Sequence, residues 1–358
     1  MNYAKNVLLS HIHPLFFTCC LLLFVGMTVC ADAKIVFIVD DDIFVMNDDG
    51  TNRRRLTRNT VSRDHYPRWS PDGKRIAFIR YMDKKIQSSG EVFIMNANGK
   101  ELQRLTDNNA REGYPSWSPD GKRIAFQSNR KRSGRSEVYT MDLATLAVTQ
   151  LTGIEEIEGE LGSVAPDWSP DGTQIVYEKF ISNRKPNGGG FAAGFAHKNI
   201  YLMSADGEDQ RPLFPDPKPG ANTITMRFFP RWSADGQRIL FTDCTDNGKQ
   251  TCRLSYARIG GVAHAIKDIY ERLGDHLLTA GAVWIENDRV VLFSLMIWGK
   301  PKANYDLYRY EFRTRKLRRL TREAQDEKWP DWIEGALSVS PQGKLPTQWG
   351  EKKQNISQ

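Results

Sequence analysis

The chain has 358 residues, a formal charge of +7 and 40% hydrophobic residues, with Trp 9, Gly 28 and Pro 17. That composition describes one large, soluble, turn-rich domain and excludes a polytopic membrane protein and a disordered chain. The positive surplus permits an acidic partner without naming one, because what matters is where Lys and Arg cluster.

Residues 1–33 read as a secretory signal. Lys5 precedes an apolar run from Pro14 to Val29, and Ala31-Asp32-Ala33 supplies a small-x-small cleavage pattern. The run is shorter than the roughly 20 residues that cross a bilayer. A periplasmic or secreted protein is expected, with no transmembrane span in the mature chain. Lipid anchoring through Cys30 is the rival, and the branched Val29 before it fits that pattern poorly. Cys19 and Cys20 leave with the signal. Cys244 and Cys252 then flank a stretch containing Asn247-Gly248, a strong hairpin pair, so a cross-strand disulfide is expected. It should contribute roughly 2 to 3 kcal/mol.

Tryptophans recur at Trp69, Trp117, Trp168, Trp232, Trp284 and Trp332, in steps of 48, 51, 64, 52 and 48 residues. W-S-P-D-G-K-R-I-A-F follows Trp69 and Trp117, W-S-P-D-G-T-Q-I-V-Y follows Trp168, W-S-A-D-G-Q-R-I-L-F follows Trp232, and W-I-E-N-D-R-V-V-L-F is a decayed fifth copy. Asp-Gly between two β-prone runs is a hairpin turn. A further strand follows each, such as Val92-Phe93-Ile94-Met95, and then a short Arg-Leu-Thr strand, as at 104–106 and 319–321. Each unit therefore reads as four strands, A ending in Trp, then B, C and D. No helical periodicity is evident between them. This is an all-β chain, a six-bladed β-propeller of four-stranded antiparallel blades. The chain opens on a B strand near Lys34, so the A strand ending at Trp332 should complete the first blade and close the ring. The propeller spans 34–341 and a polar tail covers 342–358.

The repeat resembles that of the TolB family, also met in the N-terminal propeller of dipeptidyl peptidase IV relatives, and the resemblance covers essentially residues 34–341. It implies a periplasmic setting and engagement of a peptidoglycan-associated lipoprotein. Two departures stand out. TolB carries an α/β domain ahead of its propeller, whereas here the signal precedes it directly. Peptidase relatives carry a hydrolase domain behind theirs, where this chain has a short tail.

No G-x-S-x-G elbow and no H-E-x-x-H pair occur. The histidines beyond the signal, His65, His197, His264 and His276, are isolated. The run Gly188-Gly189-Gly190 lacks a following helix pattern, so no dinucleotide site is expected. Antiparallel order puts the A–B and C–D turns on one face, closed by tight hairpins. The B–C and D–A connections lie on the other, with insertions at 178–199, 214–225 and 260–280. Function concentrates on such loops, and Phe191 and Phe195 in the Gly-rich insertion are candidate partner contacts.

In TolB-like propellers the A strand is innermost. Five residues before each tryptophan stand Asp64, Glu112, Ser163, Arg227, Thr279 and Glu327, a candidate polar ring at the channel mouth with His65 beside it. One residue before stand Arg68, Ser116, Asp167, Arg231, Val283 and Asp331, where opposite charges can pair between blades. The tryptophans themselves, with Pro two residues ahead of five of them, read as core. Basic runs at Arg53-Arg54-Arg55, Arg130-Lys131-Arg132 and 313–322 read mainly as guards on outer strands. A non-enzymatic, monomeric binding scaffold follows as the expectation, with a protein or envelope partner, no nucleic acid and no cofactor. The alternative is a metal-dependent hydrolase or lyase of sugars or lactones, with Asp64, Glu112 and His65 holding a divalent cation in the channel.

Overall fold

The W-S-P-D-G strings fold for a local reason. Ser70 Oγ donates to Asp72 Oδ1 at 2.6 Å and accepts the Arg75 N–H at 2.9 Å, while Asp72 accepts the Lys74 N–H at 3.1 Å. The same three bonds recur at Ser118, Ser169 and Ser233. Side chains thus satisfy the donors of the turn, and Gly73 supplies its left-handed residue at φ +67°. Arg-Leu-Thr is equally mechanical. Thr57, Thr106, Thr152 and Thr321 each accept the N–H of Ile43, Val92, Val138 or Leu307 at 2.9 Å. The arginine two residues earlier pairs with an acid on the neighbouring strand: Arg55 with Asp42, Arg104 with Glu91 at 3.1 Å, Arg319 with Asp306 at 2.6 Å.

The computed structural model describes residues 35–333 apart from 84–89, 132–134, 155–159, 183–195, 217, 219–223, 247–250, 276 and 300–302. The signal, the tail, Phe191 and Phe195 lie outside the described residues. In chain order the strands are β1 (Ile35–Val39), β2 (Asp42–Met46), β3 (Arg54–Arg55), β4 (Arg63–Trp69), β5 (Arg75–Tyr81), β6 (Gly90–Asn96), β7 (Gln103–Arg104) and β8 (Gly113–Trp117). Next come β9 (Arg123–Ser128), β10 (Glu137–Asp142), β11 (Val148–Gln150), β12 (Glu160–Trp168), β13 (Gln174–Ser182), β14 (Ala196–Ser204), β15 (Arg211–Pro212) and β16 (Ile224–Trp232). The last are β17 (Arg238–Asp246), β18 (Thr251–Arg258), β19 (His264–Ala265), α1 (Lys267–Leu273), β20 (Leu277–Ile285), β21 (Val290–Ile297), β22 (Asp306–Glu311), β23 (Lys316–Arg319) and β24 (Glu327–Trp332).

Four-stranded sheets form from β4–β7, β8–β11 and β20–β23, and another from β24, β1, β2 and β3 in that order. An eight-stranded sheet contains β12–β15 and β16–β19, joined by one parallel bridge, Lys198 to Met226. Within each four-strand set the neighbours are antiparallel, the arrangement of a β-propeller. The Trp-ending strands are neighbours in turn: β4 with β8, β8 with β12, β12 with β16, β16 with β20, and β24 with both β20 and β4. β24 pairs with β1, placing Trp332 opposite Ile35.

Each tryptophan sits in its own apolar cluster between adjacent sheets, as Trp69 does with Val36, Ile38 and Phe78, and Trp117 with Ile79 and Phe126. Arginines that open β5, β9 and β17 lie over the tryptophan ring of the next repeat, Arg75 on Trp117, Arg123 on Trp168 and Arg238 on Trp284, each 4.6 Å from the centroid.

The expected insertion at 260–280 needs correction. Residues 259–263 form the C–D turn on the hairpin face, His264-Ala265 is the D strand, and α1 then leads back to β20. Ile266, Ile269 and Tyr270 are buried against Leu240, Leu254 and Trp284, with Leu273 packed beside them. That i, i+3, i+4, i+7 spacing is helical.

Candidate functional site: a filled channel beneath an apolar face

The innermost strands share a backbone irregularity. Tyr66, Tyr114, Ala165, Phe229 and Trp329, each three residues before a repeat tryptophan, have φ between +48° and +56°, and Gly281 at the sixth such position has φ +86°. Register shifts with the adjoining strand fall at the same place in all six. The extra residue of a β-bulge re-aims its side chain. Tyr66 stacks on Tyr114 with centroids 4.0 Å apart, Tyr114 on Phe229 at 5.9 Å, and Trp329 meets Tyr66 at 4.7 Å and Phe229 at 4.9 Å edge-on. Four rings from four strands thus form one layer across the axis. Gly281 is required beside them, since a Cβ there would lie 3.1 Å from Cε3 of Trp329. Desolvation raises both tyrosine phenols far above their ordinary range, keeping them neutral.

Closer to the tryptophans lies a charged layer. Arg68 bonds Asp167, with Asp331 3.6 Å from its Nε; Arg231 bonds Asp331 at 2.5 Å, with Asp167 3.4 Å from its Nε. The aspartates also accept main-chain donors from the neighbouring innermost strand, Asp331 from Trp69 N at 2.8 Å and Asp167 from Trp232 N at 2.9 Å. Two arginines and two aspartates from four strands therefore neutralise one another. Between the two layers is an axial cavity walled by Pro67, Pro115, Pro166, Pro230 and Pro330.

The side chains five residues before the tryptophans lie outside that lining. Asp64, Glu112 and Glu327 are completely buried. Asp64 takes Arg80 at 2.7 Å, Glu112 takes Arg130 at 2.8 Å, and Glu327 lies 2.7 Å from Arg53. Ser163 donates its N–H to the Ser136 carbonyl at 2.7 Å, Thr279 bonds Thr242 at 2.6 Å, and Arg227 donates to Asn199 at 2.9 Å while lying over Phe214. Counting back by twos presumes unbroken alternation. The bulge inserts one residue, so these side chains turn to the face opposite the one that count selects. His65 sits edge-on to Tyr66 and Tyr81, and burial, reinforced by Arg63, lowers it to about 4. Burial pushes Glu327 up to about 7 despite Arg53. Among the described residues no three His, Cys, Asp or Glu side chains gather to hold a metal. Cys244 and Cys252 pair across β17 and β18 as a disulfide.

Residues 67–187 match the model of the TolB beta propeller domain, PD40. The structure superposes on TolB from Acinetobacter baumannii with a TM-score of 0.63 at 18% identity, over 93% of this chain and 75% of that one. The chain shares the propeller fold of TolB. The same fold recurs in hydrazine synthase from Kuenenia stuttgartiensis, with a TM-score of 0.61 at 14% identity over 83% of this chain and 46% of that one. A puromycin-hydrolyzing peptidase from Mycobacterium tuberculosis gives 0.50 at 16%, over 81% and 45%. The chain thus spans less than half of those two proteins. No curated protein matches it.

On the loop face of this TolB-like propeller, the strands of the eight-stranded sheet, with β20 and β21, run to eight or nine residues, against five to seven in β4–β6 and β8–β10, two-residue outer strands aside. The additional residues fall at their loop-face ends, which raises one half of that face, and the disulfide staples the raised part. Over the whole loop face the exposed large apolar side chains are Val61, Met82, Ile154, Leu161 and Trp298, and others, Leu102, Leu146, Ile259 and Val262, lie on the hairpin face. The aromatic layer escaped the sequence reading. Its signal was an aromatic immediately before the repeat proline, in Tyr66-Pro67, Tyr114-Pro115, Phe229-Pro230 and Trp329-Pro330.

Proposed function

We propose that this chain is an exported, closed six-bladed propeller that acts as a binding scaffold rather than an enzyme, engaging a protein or cell-envelope component through its loop face. The observation that carries the reading is the exposed apolar set Val61, Met82, Ile154, Leu161 and Trp298, spread over connections that encircle a filled channel. Trp298 is 64% exposed and Ile154 72%, large apolar side chains of the kind that a bound partner covers as anchors. The channel supports the same reading, because its charged groups neutralise one another and its aromatic layer fills the axis. The disulfide fits an oxidising compartment. On the family resemblance alone, a peptidoglycan-associated lipoprotein is the first partner to try.

The test is capture from envelope extract, followed by titration of the captured protein. Trp298→Ala with Ile154→Ser should weaken binding at least about tenfold, since one or two large apolar anchors dominate such interfaces, with the melting transition unchanged. Unaltered binding by the variant would sink the loop-face assignment. Stoichiometric Mn, Ca or Zn in the purified protein, lost on Asp64→Asn, would favour the metal-dependent enzyme instead.

A further inference from the structure

Two basic runs separated by some 260 residues in sequence meet in the fold. The first lies on β3, the second on β23 and its flanks, and these are outer strands of neighbouring sheets. Arg318 Nη2 donates to the Asp49 carbonyl at 3.1 Å, and Arg53 lies 3.5 Å from Glu323. Along the joined edge Arg54, Arg58, Arg313, Lys316, Arg318 and Arg322 are exposed.

Not all the cations of these runs are available. Arg55 and Arg319 hold Asp42 and Asp306, Arg53 holds Glu327, and Arg315 holds Asp268. Arg54, Arg58, Arg313 and Lys316 make no ion pair among the described residues. Guarding an outer edge does not account for them. β11 is Val148-Thr149-Gln150 and β19 is His264-Ala265, neither with a Lys or Arg, while the single arginine of β7, Arg104, is committed to Glu91 and Asp107. The outer strand β15, Arg211-Pro212, carries one exposed arginine, whereas several such cations gather along the edge of β3 and β23, where β23 alternates so that Lys316 and Arg318 point outward while Leu317 and Arg319 turn in.

We propose that this edge is a docking strip for a linear polyanion, specifically an acidic polysaccharide. Arg313 and Lys316 lie toward the hairpin face, Arg54 and Arg318 midway, and Arg58 and Arg322 toward the loop face, so the charges run the height of the molecule as a line rather than a disc. A chain carrying a carboxylate on every sugar presents a matching line of charge, and long Lys and Arg side chains reach it without a pocket. A lipid surface fits less well. The exposed large apolar side chains, which would insert into a bilayer, lie on the loop connections and at Leu102, Leu146, Ile259 and Val262, not among these cations. This assignment is independent of the loop-face reading and uses none of its residues.

Immobilised polygalacturonate should retain the purified protein at low ionic strength and release it as salt rises, while neutral dextran should not retain it. Arg54→Gln, Arg58→Gln, Arg313→Gln and Lys316→Gln together should weaken retention about tenfold or more, with circular dichroism and melting unchanged. A matched control removes four exposed cations elsewhere, Lys74→Gln, Lys100→Gln, Lys122→Gln and Lys267→Gln, and should retain binding. Equal loss in the control would reduce the effect to net charge and overturn the proposal. So would unchanged binding by the edge variant, absence of retention by the unaltered protein, or binding to phosphatidylglycerol vesicles without binding to polygalacturonate.

Discussion

Asp331 holds together parts of the chain that are remote in sequence. It bonds Arg231 at 2.5 Å, accepts the Trp69 N–H at 2.8 Å and stands 3.6 Å from Arg68, itself bonded to Asp167. Both guanidiniums are largely buried, so removing the carboxylate leaves charge uncompensated in a dry channel. Asp331→Ala should cost about 3 kcal/mol or more, read as a lower urea midpoint, and a midpoint within error of the parent would refute the coupling. Glu327 and His65 oppose one another as pH changes. Glu327, raised from 4.5 to about 7, binds a proton in the folded chain that the unfolded chain has released, so its contribution falls as pH rises through that window. His65, lowered from 6.5 to about 4, stays neutral when folded while the unfolded chain takes a proton, so its contribution rises with pH between those values. Each amounts to something on the order of 3 kcal/mol, and together they nearly cancel. Glu327→Gln should therefore make stability climb from pH 4.5 to 6.5, and His65→Phe should make it decline from 4.5 to 7. Urea titrations at both ends of the range decide this, and parallel profiles for all three proteins would contradict it.

At the level of the strand and turn, the Cys244–Cys252 bridge tests how much the raised half of the loop face depends on a covalent staple. Replacing both cysteines with alanine should lower stability by roughly 2 to 3 kcal/mol, with no loss of β-sheet signal, and reductant should reproduce that drop in the parent while leaving the variant untouched. This element was legible in the sequence because its determinants are local: two cysteines spaced about a turn pair. The same holds for the Ser-Pro-Asp-Gly hairpins and the Arg-Leu-Thr strands, where each bond joins residues a few positions apart or opposite one another. The channel was less legible. Asp64, Glu112 and Glu327 could be recognised as one repeated position, yet their burial against Arg80, Arg130 and Arg53 depends on a bulge whose positive φ leaves no mark except an aromatic ahead of proline. The charge pairing of Arg68, Asp167, Arg231 and Asp331 was readable, since one residue before the tryptophan lies on the near side of the bulge. Helix α1 was missed, because a two-turn period carried by Ile266, Ile269, Tyr270 and Leu273 is short enough to pass for an irregular insertion between strands.

For the whole molecule, the decisive element is the last strand. β24 supplies Glu327 to Arg53, Trp329 to the aromatic layer, Asp331 to the charged layer and Trp332 to the cluster around Ile35 and Phe37. It pairs along β1 while packing beside β4 and β20; in a closed ring every interface would depend on these last described residues. An open array would behave differently, losing one terminal sheet and keeping the rest. A chain ended after Ile333 should therefore melt in one transition near that of the full protein. A chain ended after Asp326 should lose cooperative unfolding and expose apolar surface, including the faces of β20 and β4. Hydrogen exchange separates the two architectures: in the closed ring, the shortened chain loses amide protection in β8–β10 and β16–β18 as well as in β1–β3. Protection retained in those distant sheets would mean that the sheets stand largely on their own and that closure contributes little.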